Sequence, residues 1–65
     1  MTIHDQIRCV SRELRMRQNC YPKWVSQGRM EQVTADWEID AMKHVLKTLN
    51  ELADKDQLKL FEETA

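Results

Sequence analysis

The sequence predicts an all-α protein, an antiparallel helical hairpin with a short helical turn in its connector, dimerising into a helical bundle. Three observations predict it. One glycine and one proline among 65 residues leave little to interrupt a helix, and strong helix formers fill much of the rest. Apolar residues recur at helical spacing in two separate stretches. The segment between those stretches holds both the proline and the glycine.

The first helix is expected over about residues 2–19. Thr2 followed three residues later by Asp5 is a variant of the capping box, in which the acid also suits the positive end of the helix. Ile3, Ile7, Val10 and Leu14 follow at spacings of 4, 3 and 4, one narrow stripe of the coiled-coil type. Arg17 stands where the next apolar member belongs, and Asn19 reads as a helix end. Residues 20–30 form the connector. Pro22 suits the first position of a short helical turn, where its missing N–H costs nothing, and Gly28 suits the left-handed residue that closes one. Tyr21, Trp24, Val25 and Met30 would plug the closed end of the hairpin, with Trp24 as the largest contributor.

The second helix is expected over about 31–53. Ala35, Ile39, Met42, Leu46, Leu49 and Ala53 repeat at 4, 3, 4, 3 and 4, an unbroken seam that can pack antiparallel on the first helix. Trp37, Ala41, Val45 and Leu52 lie off that seam, more apolar surface than one partner helix covers. Self-association into a four-helix bundle is the preferred use of this stripe; a different partner would need the same residues. Asp54-Lys55-Asp56 then interrupts the pattern, so residues 1–54 read as the hairpin and 55–65 as a mobile C-terminal tail.

A chain of this length buries only about 60% of the surface its unfolded form exposes, which makes a partner useful. Asp5 and Arg8 interrupt the N-terminus where the apolar core of a signal peptide would lie. No apolar run approaches the roughly 20 residues that span a bilayer. A cytoplasmic protein is expected, with no membrane partner and with Cys9 and Cys20 as free thiols.

Gln57-Leu58-Lys59-Leu60-Phe61 closely resembles the bacterial sliding-clamp-binding motif, a pentapeptide of pattern Gln-Leu-Ser/Asp-Leu-Phe found in clamp-loader subunits, polymerases, mismatch-repair proteins and replication regulators. The resemblance implies that Leu60 and Phe61 enter an apolar pocket of the clamp, that Gln57 hydrogen-bonds near its rim, and that Leu58 fills a shallower neighbouring site. Lys59 departs from the pattern at a variable position. Burying one Leu and one Phe is worth about 1.5–3 kcal/mol each, set against ordering a short segment, so the contact is expected to be reversible and of modest affinity. The same residues also admit a reading as the last turn of the second helix, because Leu60 falls in phase with its seam once Asp56 is passed.

A second resemblance covers about residues 6–50. Tyr21-Pro22-Lys23-Trp24-Val25, then Gly28-Arg29-Met30, Ala35, Glu38 and Met42 resemble a family of short proteins encoded in bacteriophage and prophage genomes. It suggests a source and no mechanism.

Other chemistries have weaker support. No Gly-rich phosphate loop, nucleophile motif or paired-carboxylate constellation points to an enzyme. His4, Cys9, Cys20 and His44 match no zinc spacing, so neither a metal nor a cofactor is expected. Nucleic acid is the competing partner. Arg8, Arg12 and Arg15 fall together on the first helix, opposite its apolar stripe, and could contact phosphates. Residues 1–30 hold six basic and two acidic side chains, whereas residues 31–65 hold four basic and nine acidic, which dilutes that signal. The expectation is a small phage-type binding protein that engages the bacterial sliding clamp and inhibits or redirects host replication. The alternative is a helical homo-oligomer that binds DNA through the Arg-rich face.

Overall fold

The computed structural model describes the backbone of residues 1–64 and the side chains of residues 1–55. It is a hairpin of two helices, α1 (Ile3–Ser26) and α2 (Gln32–Thr64), packed on one another. Among the described residues there is no strand.

α1 begins as its sequence requires. The Asp5 N–H donates to the Thr2 hydroxyl at 3.1 Å, and the Thr2 N–H donates back to the Asp5 carboxylate at 3.1 Å, completing the capping box. The Thr2 backbone N–H first, and the nearby Thr2 hydroxyl second, hold the Asp5 carboxyl below its ordinary value.

The end of α1 differs from expectation. The helix does not stop at Asn19 but passes through Pro22 to Ser26. A proline inside a helix removes one backbone bond and costs about 3 kcal/mol or more. Packing on both sides of it offsets that cost: Tyr21 is buried and Val25 is half-buried. Closure then comes later. Gly28 takes φ of 74°, its N–H donates to the Val25 carbonyl at 3.1 Å, and the Arg29 N–H donates to the Trp24 carbonyl at 2.9 Å. These two bonds form a Schellman motif, so Gly28 is the left-handed closing residue, of α1 itself rather than of a separate turn.

The apolar stripe of α1 likewise continues past Arg17. Ile3, Ile7, Val10 and Leu14 are half-buried, and the next steps of 3 and 4 place Arg17 and Tyr21 on the same line. Tyr21 retains only 9% exposure, whereas Trp24 beside it keeps 39%. The hairpin end is therefore plugged by Tyr21, which is in register with the seam. Trp24 lies about 60° around the helix from it.

α2 starts one residue later than the sequence suggests, with the Glu31 carbonyl accepting its first bond from the Ala35 N–H at 3.0 Å. Its seam is the expected one: Ala35 and Ala53 are buried, and Ile39, Met42, Leu46 and Leu49 are half-buried. α2 extends to Thr64 instead of ending at Ala53. Asp54-Lys55-Asp56 disrupts apolar periodicity, but without Gly or Pro it breaks no backbone geometry.

Two cylinders touch along a line, so large seam residues stay partly in solvent and only Tyr21, Ala35 and Ala53 are buried apolar residues among those described. The register is fixed where Arg17 Nη1 donates to the Glu38 carbonyl at 3.2 Å. Fourteen residues back along α1 lies Ile3, and fourteen forward along α2 lies Leu52. α1 is thus spent at the level of Leu52 and Ala53. Among the described residues no helix is long and apolar enough to cross a membrane.

Candidate functional site

Three groups of side chains are candidates for binding, and the hairpin keeps the two that are described apart. The first is the row Arg8, Arg12 and Arg15. All three are exposed and lie within about 60° of one another, on the side of α1 turned away from α2. None forms an ion pair among the described residues.

The second group is the stripe on α2. Trp37 is 71% exposed, Val45 and Leu52 are also exposed, and Ala41 is half-buried. The stripe is centred about 120° around the helix from the α2 seam. Thr34 and Thr48 complete it at helical spacing. The Thr48 hydroxyl donates to the His44 carbonyl at 3.0 Å, so its polar atom is satisfied within the helix and its methyl is free to join the apolar strip. Val33, Thr34 and Trp37 line a shallow hollow at one end. His44 lies on the stripe's outer edge with Nδ1 2.8 Å from the Asp40 carbonyl, exposed to solvent.

Sequence reasoning missed the other half of this surface. Met16 and Trp24 are exposed apolar residues of α1, with Cys20 half-buried between them. Because the helices run in opposite directions, the flank of α1 that holds Met16 and Trp24 and the flank of α2 that holds the stripe open onto one face of the hairpin. The other face presents Ser11 and Gln18 from α1 and Asp36, Lys43 and Asn50 from α2. Reading each helix for its apolar sense of rotation, rather than for its seam alone, would have revealed this sidedness.

Between the flanks sits a polar cluster that the sequence reading also missed. Arg17 Nε donates to Glu13 Oε1 at 3.1 Å, and the guanidinium carbon lies 5.9 Å from the Tyr21 ring centroid. Burial and the neighbouring Glu38 carboxylate push the Tyr21 phenol above its ordinary value, with Arg17 opposing. Tyr21 also packs against Trp24, with ring centroids 5.4 Å apart. The arginine breaks the apolar rule of the seam but keeps its place there by finding partners for its fork.

The third group, Gln57, Leu58, Leu60 and Phe61, lies outside the residues whose side chains are described. Cys9 is exposed and Cys20 half-buried, both as free thiols. No three His, Cys, Asp or Glu side chains converge as a metal site among the described residues. Compared as a whole, the chain matches no known protein family, no curated protein and no solved structure.

Proposed function

We propose that this protein is a small phage-type, cytoplasmic binding protein, not an enzyme, that docks on the bacterial DNA sliding clamp through Gln57, Leu58, Leu60 and Phe61. The single observation that carries the reading is the motif itself, with its four defined positions filled in order. The hairpin's register supports it, since α1 is spent at the level of Leu52 and Ala53, before the motif begins. Occupying a pocket that polymerases and the clamp loader share would inhibit or redirect replication. A pull-down of purified bacterial clamp by the immobilised chain tests the proposal. Wild type should retain the clamp, and Leu60→Ala/Phe61→Ala should lose it. Equal retention by both, or none by either, removes the docking reading.

A second reading is favoured by a specific observation, the exposed Arg8, Arg12 and Arg15 row without acidic partners among the described residues. On that reading the row contacts DNA phosphates. A mobility shift of duplex DNA should then weaken steeply with salt and vanish when the three arginines become glutamine. A shift indifferent to those substitutions, or no shift at low salt, rules the row out.

A further inference from the structure

We infer that the stripe on α2 is covered by α2 of a second copy running antiparallel to it, so that two hairpins form a four-helix dimer with Val45 at the two-fold axis. The inference stands apart from the clamp and DNA readings.

Three observations carry it. The first is that the hairpin is not self-sufficient. Among the described residues it buries no large side chain completely, and its apolar residues are mostly half-covered. The second is area. The chain exposes 5463 Å², against about 4,400 Å² for a compact monomer of 7.8 kDa. Part of that excess follows from an outline of 57 × 18 × 13 Å, thin in two directions. A second hairpin laid lengthwise against the first removes that kind of excess. The difference, roughly 1,000 Å², takes in the length of α2 beyond the end of α1 and is of the order of the ~800 Å² that each partner gives to an interface of standard size.

The third observation selects the second copy over an unrelated protein. An interface between identical chains about a two-fold axis must be complementary to its own reverse. The stripe meets that condition. Ala41 and Thr48 stand four and three residues to either side of Val45, and Trp37 and Leu52 stand eight and seven. Laid antiparallel about Val45, Trp37 meets Leu52 of the other copy, Ala41 meets Thr48, and Val45 meets itself. Each large side chain then faces a large one at the ends, and small residues face each other next to the axis. Thr34, Trp37, Ala41, Val45, Thr48 and Leu52 are all uncharged; Glu38 borders the strip on its inner side, and its outer rim holds both signs in Asp40, Lys47 and Glu51. Met16 and Trp24, opening onto the same face, flank the incoming helix.

Sedimentation equilibrium on the intact chain tests the oligomer, and disulfide trapping tests its direction. Wild type should sediment at twice the chain mass at micromolar concentration. Trp37→Glu should sediment at the chain mass, its dimer dissociation constant raised at least ~100-fold, as expected for loss of an aromatic anchor. Because Trp37 is 71% exposed in the hairpin, this change removes no contact of the internal core. Should the variant unfold instead, trapping decides. In a Cys9→Ser/Cys20→Ser background, Val45→Cys should oxidise to a covalent dimer. Trp37→Cys should not, because its two copies would stand about 24 Å apart along the axis, beyond disulfide reach. A monomeric wild type, a Trp37→Glu variant that still dimerises, or trapping as efficient at 37 as at 45 would overturn the proposal.

Discussion

Arg17 and Tyr21 show how single residues set the closed half of the hairpin. Arg17 occupies a seam position, pairs with Glu13 and donates to the Glu38 carbonyl of the opposite helix. That contact spans the two helices and fixes their register more sharply than apolar side chains of similar size can. Tyr21 fills the space beside it, and burial together with the Glu38 carboxylate raises the pKa of its phenol. The sign follows directly. A neutral phenol favoured in the folded state contributes stability that is fully present below pH ~10 and is lost as pH rises through the higher folded value. Tyr21 is the only tyrosine, so phenolate absorbance reports it alone. Its titration midpoint should lie above that of the denatured chain, with helical circular dichroism falling over the same alkaline range. A midpoint at or below the denatured value would contradict the packing described for the hairpin end. The sequence placed Tyr21 in the plug of the hairpin end but ranked Trp24 above it, and it did not show the role of Arg17. In sequence Arg17 looks like an interruption, and only the facing helix shows what its donors reach.

At the scale of the helices, the inner face of α2 was legible, because six apolar residues at unbroken spacing leave one choice, but its end was placed at Ala53, eleven residues short of Thr64. α1 was legible to Leu14 and then misread. Arg17, Asn19 and Pro22 each resemble a stop, yet the backbone runs on to Ser26 and closes with a Schellman motif at Gly28. Local propensity lost to packing on α2 and to a better terminus at Gly28, nine residues past Asn19. Because Pro22 sits inside the helix, Pro22→Ala restores a backbone donor and should stabilise the fold by up to ~3 kcal/mol. Thermal melting checks this, with an expected rise of several degrees for each kcal/mol in a domain of this size. An unchanged or lowered midpoint would favour a helix break before Pro22, where proline suits the first helical position.

For the whole molecule, the sidedness of the hairpin matters more than either helix. One face carries Trp24, Met16, Trp37, Val45 and Leu52, and the Arg8, Arg12 and Arg15 row points elsewhere. The apolar stripe of α2 was visible in the sequence as surplus hydrophobicity. Its partner flank on α1 was not, because Met16 and Trp24 join it only once the helices are antiparallel. A dimer built on that face would leave the arginine row open and carry two copies of the Gln57–Phe61 segment. Two copies on one assembly could engage repeated pockets of a ring-shaped clamp, raising a modest affinity by avidity where the geometry permits. Calorimetric titration of purified bacterial clamp is the most direct test of the docking claim. Wild type should give saturable heats that end at one chain per clamp subunit, and Leu60→Ala/Phe61→Ala should give only heats of dilution. Identical isotherms for the two proteins, or no binding by wild type, would contradict it.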